Sequence, residues 1–140
     1  MDKRKRKPQR VFAPMIVMST IDPTYTTRLY LALAAFEEGM GVITDFHLLL
    51  DCIDLLILGA SNKQQNDLVE LCKILRIALE NTHARFKDGE LDSSSEDEIQ
   101  AFKEIVKQSE AFWKRQSGDY YRRCSEALKA FRQKQKEKLG

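Results

Sequence analysis

The stretch SEDEIQAFKEIVKQSEAFWKRQSGDYYRRCSEALKAFRQKQKEK, residues 95–138, repeats its apolar residues at helical spacing over nearly its whole length. Ile99, Phe102, Val106, Ser109, Trp113, Gln116, Tyr120, Cys124, Leu128 and Phe131 follow one another at steps of three or four, and Ile105, Phe112, Tyr121 and Ala127 widen the stripe. Such spacing predicts an amphipathic helix. At 1.5 Å per residue it would extend on the order of 60 Å, beyond the roughly 30 Å diameter of a compact domain of this size. Ser95 with Glu98 three residues on forms a capping box that starts it. Ser117-Gly118-Asp119 interrupts the middle, where Gly costs ~1 kcal/mol relative to Ala and Ser117 could cap a second helix. Because the stripe stays in phase across this interruption, a continuous or slightly kinked helix is expected. After Phe131 the apolar face gives out, and the last turns should fray.

Working upstream, Lys63 to Lys87 carries Leu68, Leu71, Cys72, Leu75, Leu79, His83 and Phe86 on one face, and Asp88-Gly89 closes that helix. The segment Asp45 to Leu58 is apolar around most of its circumference, with Thr44 as its cap. Such a helix belongs at the centre of a domain or in an interface. Gly59-Ala60-Ser61 should turn the chain, with Ser61 or Asn62 capping the next helix. Asp22-Pro23 opens a further helix, whose face is Tyr25, Leu29, Ala32, Leu33, Phe36 and Met40, and Gly39 and Gly41 end it. Residues 11–21 are apolar and β-branched but contain Pro14, so they are expected to form an extended strap across the helices. The reading is an all-α, four-helix bundle-like domain over residues 11–138, with a long C-terminal helix and an N-terminal strap. Residues 1–10 are expected to be a disordered basic arm.

Composition narrows the class. Of 140 residues, 43% are apolar and 31% charged, the balance of an ordinary helical domain rather than a low-complexity chain. No run is long and apolar enough to span a bilayer. The basic start and the apolar residues 11–18 lack the small-residue cleavage site of a signal peptide. Cys52, Cys72 and Cys124 are odd in number, form no CxxC pair and each lie on an apolar stripe, so they read as reduced core residues of a cytoplasmic protein, or a nuclear one if the cell is eukaryotic.

Charge is unevenly placed. Residues 1–10 hold six Lys or Arg against one Asp, residues 114–138 hold nine against three, and between Leu29 and Asn62 there are five carboxylates and no Lys or Arg. Such asymmetry speaks to partners rather than fold. A polyanion or nucleic acid would meet Lys3, Arg4, Lys5, Arg6, Lys7 and Arg10 of the arm and Lys114, Arg115, Arg122 and Arg123 of the C-terminal helix. A protein interface would use the aromatic residues Phe112, Trp113, Tyr120 and Tyr121, of which Trp113 is expected to be buried.

Chemistry-bearing patterns are sparse. His47, Asp51 and Asp54 share one helix face and could bind a metal or move a proton, but the glutamate-x-x-histidine spacing of di-iron bundles is absent. The stripe is expected to be the solvated edge of an otherwise buried helix. There is no phosphate-binding glycine loop, nucleophile elbow or HExxH. The expectation is a non-enzymatic interaction or regulatory protein with no cofactor, which self-associates as a dimer or higher oligomer and docks a partner protein. A nucleic-acid-binding accessory protein is the alternative, and an enzyme or metal-binding bundle ranks third.

Overall fold

The computed structural model describes residues 23–85 and 95–139, and both the expected basic arm and the expected strap lie outside them. The described chain forms five helices: α1 Pro23–Glu37, α2 Ile43–Asn62, α3 Asn66–Arg85, α4 Glu96–Trp113 and α5 Gly118–Leu139. The fold is all-α and bundle-like, as expected.

The principal difference from the sequence reading is the long C-terminal helix, which is two helices. α4 stops at Trp113 and the chain folds back through residues 114–117. Ser117 accounts for the restart. Its hydroxyl accepts the Tyr120 N–H at 3.0 Å and its carbonyl accepts the Tyr121 N–H at 3.1 Å, which satisfies donors that a helix start leaves without partners. Folding back lets both stripes pack on one domain, which a straight rod could not do.

α2 is the centre. Phe46, Leu49, Cys52, Ile53, Leu55, Leu56, Gly59 and Ala60 are all buried, and each of the other four helices packs against it. Contacts between named residues fix the directions. Asp54 pairs with Arg76 and Phe46 stacks on His83, so α2 and α3 are antiparallel. Gly59 lies beside Trp113, which places the C-terminal ends of α2 and α4 together. Tyr120 bonds to Gly59 and Arg132 to Asp51, so α5 runs back along α2 in the opposite sense. α1 lies antiparallel to α4, since Phe36 meets Phe102 at 5.0 Å between ring centroids and Tyr30 donates to Glu110.

Helix boundaries differ from expectation for local reasons. α2 starts at Ile43, after Val42 rather than Thr44, because the Asp45 carboxylate accepts the Val42 N–H at 3.0 Å. At its other end α2 runs through Gly59-Ala60-Ser61, which therefore neither turn the chain nor cap the next helix. The reversal falls at Lys63–Gln65, where Gln64 takes a left-handed φ of 59°. Gly59 serves close packing instead: a Cβ there would lie 2.6 Å from Trp113 Cη2. Met40, expected on the inner face of α1, lies beyond its end and is exposed. The capping box at Ser95 and Glu98 forms as read, with the Ser95 Oγ accepting the Glu98 N–H and Glu98 accepting the Ser95 N–H.

Trp113 is 2% exposed. It packs edge-on to Phe112 and Tyr121 and against Tyr120, and its Nε1 is buried with no hydrogen-bond partner. Trp113→Ala should therefore cost ~3–5 kcal/mol in urea unfolding. Trp113→Phe should cost clearly less, because the unsatisfied N–H leaves with the indole. Gly59→Ala should also destabilise, the crowding cost of ~1–3 kcal/mol outweighing the ~1 kcal/mol that Ala gains in helix propensity.

Candidate interaction surfaces

Among the described residues, two ionic seams and a set of exposed apolar and basic side chains are the places where this fold could act. The first seam joins α2, α3 and α5. Asp54 accepts from Arg76 Nε at 2.8 Å and from Arg132 Nη2 at 2.8 Å, while Asp51 pairs with the other terminal nitrogen of Arg132. Arg76 also pairs with Glu80 one turn along α3. The stripe expected to face solvent is thus an ionic seam, with Asp54 held between two guanidinium groups. His47 stays exposed beside it, its ring 5.9 Å from that of Phe46. Among the described residues no three His, Cys, Asp or Glu side chains converge as metal ligands. Asp51 and Asp54 sit 81 and 78 residues from Arg132, a separation that no periodicity in the sequence reveals.

The second seam closes the other face of the bundle. Arg85 grips Glu98 through both carboxylate oxygens, the Nη1–Oε2 bond being 2.8 Å. That guanidinium, helped by the Ser95 N–H, holds the Glu98 carboxyl below the ordinary glutamate value of 4.5, against the opposing effect of burial. A lowered folded-state pKa contributes stability that is fully present above the unfolded value and disappears as pH falls through the folded one.

The aromatic residues proposed for an interface are used inside the chain. Phe112 and Trp113 are buried. Tyr120 and Tyr121 are half-buried against Trp113; the Tyr120 hydroxyl donates to the Gly59 carbonyl at 2.7 Å, and Lys63 Nζ stands 4.5 Å above its ring. Phe112 and Trp113 therefore offer no surface to a partner in this conformation. Burial likewise raises the Cys52 thiol to about 12, despite an opposing hydrogen bond from Ser109, and the Cys72 thiol to about 11. All three cysteines are free and buried.

The basic residues divide into two groups. Arg122 pairs with Asp119 and Glu126, and Arg123 with Asp119, so both are already neutralised locally. Lys114 and Arg115 lie exposed at the α4–α5 turn, and Lys134, Lys136 and Lys138 lie exposed along the end of α5. Lys3, Arg4, Lys5, Arg6, Lys7 and Arg10 are outside the described residues.

Apolar side chains supply the patches that sequence reasoning missed. Ile74 and Ile77, one turn apart on α3, are 64% and 53% exposed, while Val69, Cys72, Leu75 and Leu79 fill the core from the same helix. Leu31 of α1 is 64% exposed, and Phe131 of α5 is 59% exposed although it continues the stripe of Cys124 and Leu128. The signal for Ile74 and Ile77 was available: they fall off the inner stripe of an otherwise well-phased helix. No helix of the described residues is long and apolar enough to cross a membrane. The chain matches no protein-family model, no curated protein and no solved structure.

Two measurements test these assignments. Glu98→Gln should lower stability by about 1 kcal/mol at neutral pH. The difference from the unaltered chain should shrink as pH drops below 4.5, in thermal unfolding followed by circular dichroism. Thiol labelling at pH 8 should leave Cys52 and Cys72 unmodified in the folded protein and modify all three cysteines once urea unfolds it.

Proposed function

We propose that this protein is a non-enzymatic, intracellular interaction domain that works by docking a partner protein and by self-association. The observation that carries this reading is the outward pair Ile74 and Ile77. Two β-branched side chains one turn apart, each more than half exposed, sit on a helix that already fills the core with its opposite face. Isolated exposed apolar residues are ordinary on protein surfaces, whereas neighbouring ones on a rigid helix form the kind of anchor that partner surfaces bury. Glu70, Lys73 and Asn81 surround them on the exposed side of α3, which suits the polar rim of an interface. Three free, buried cysteines accord with a reducing compartment.

A second reading, polyanion binding, is favoured by the exposed Lys134, Lys136 and Lys138 together with Lys114 and Arg115. Salt separates the two, because neutralising phosphates releases counterions and makes affinity fall steeply with ionic strength, while burial of isoleucine does not.

The double variant Ile74→Ser/Ile77→Ser should leave the thermal midpoint within a few degrees of the original, since neither side chain is in the core. It should abolish retention of protein partners by the immobilised chain, read by mass spectrometry of nuclease-treated lysate eluates. Undiminished retention by the double variant would refute docking through α3.

A further inference from the structure

We propose that the protein self-associates by exchanging α5, so that each copy seats its α5 on the α2 of a second copy; this rests on the self-association part of the proposed function. Three observations converge. First, the apolar stripe of α4 continues into α5 without loss of phase from Ile99 to Phe131, so one sequence satisfies both the folded-back hairpin and a single straight helix. Second, the reversal is built from nearly helical parts. Lys114 has φ −58° and ψ −27°, the Arg115 and Gln116 amides bond to the Phe112 and Trp113 carbonyls, and no proline intervenes. Gly118 does not take a positive φ. A few backbone rotations convert the turn into helix. Third, α5 packs on the rest of the domain chiefly through α2, using Tyr120 on the Gly59 carbonyl at one end and Arg132 on Asp51 and Asp54 at the other.

The directions close. Straightened, Glu96 to Leu139 forms one helix of about 66 Å that leaves its own bundle at the end where Trp113 meets Gly59. A second bundle placed end to end, presenting its own Gly59, receives that α5 in the sense the seat requires, from Gly59 toward Asp51. A two-fold axis through the straightened turns makes the exchange reciprocal, the closed symmetry expected of a homodimer. Each hydrogen bond and ion pair at the seat is remade with the partner, and so is the edge-on contact of Tyr121 with Trp113. The intramolecular cost falls on the turn alone, where the Ser117 cap favours the hairpin and Gly118 disfavours a continuous helix.

The test uses the full chain. Ser117→Ala/Gly118→Ala removes both devices that hold the hairpin, and should raise the dimer association constant by about tenfold or more, read by sedimentation as a shift from 16.2 kDa to twice that mass. Charge exchange then locates the contact. Added to this background, Arg132→Glu places a carboxylate against Asp51 and Asp54, and Asp51→Arg places a guanidinium against Arg132. A mismatched seat penalises the closed monomer and the exchanged dimer of one variant alike, so neither variant alone relieves it. In a mixture the mixed dimer does, because one exchanged seat is then unaltered and the other sets the introduced carboxylate against the introduced guanidinium. Capture through a tag on one variant should therefore recover mixed dimers in clear excess over random pairing. Mixed dimers at no more than the random proportion would leave self-association standing and refute α5 exchange. A single 16.2 kDa species for the unaltered chain and the turn variant alike would overturn self-association as well.

Discussion

The seat between Gly59 and Trp113 is the constraint on which the rest of this structure depends. Trp113 ends α4, and its indole lies where a Cβ on α2 would intrude. Because the indole occupies the space beside Gly59, α2 can continue as a helix through a glycine that would ordinarily weaken it. Phe112, Tyr120 and Tyr121 then gather around the same ring. The turn of the chain, the path of α5 and the close approach of α2 and α4 are one packing event.

That event explains why the domain has a central helix. α2 is apolar around most of its surface and lowers its free energy only when covered on every side. The apolar faces of α1, α3 and α4 do not cover the edge carrying Asp51 and Asp54, where unpaired carboxylates beside a core would be costly. α5 supplies Arg132 there and α3 supplies Arg76. The pairs are partly exposed and individually modest in energy. Their role is to set where α5 lies along α2, which fixes Phe131 at the margin of the core rather than in it.

A surface built this way has two kinds of apolar exposure. Ile74, Ile77 and Leu31 stand on helices whose inner faces are complete, so nothing in the fold calls for them. Phe131 belongs to a stripe that outruns its partner. The first kind suits an external ligand. The second accompanies a helix whose hold on the domain is local and polar at its far end, consistent with an element able to serve either its own chain or another.

Periodicity alone determined the helices, because a 3.6-residue repeat of apolar side chains is a local property of the chain. The inner faces of α1, α3 and α4 among the described residues, apart from Met40 and His83, were legible from it, as were the central standing of α2, the capping box at Ser95 and the burial of Trp113. So were the buried cysteines. What periodicity cannot report is whether an in-phase stripe stays straight, since hairpin and rod bury the same residues and differ only in what they pack against. The break at residues 114–117, the continuation of α2 through Gly59 and the pairing of Asp51 and Asp54 with Arg132 were decided by contacts between residues far apart in sequence. Those contacts exist only once the helices are packed, and there the volume of one indole and the charge on one edge of α2 outweighed the local signals.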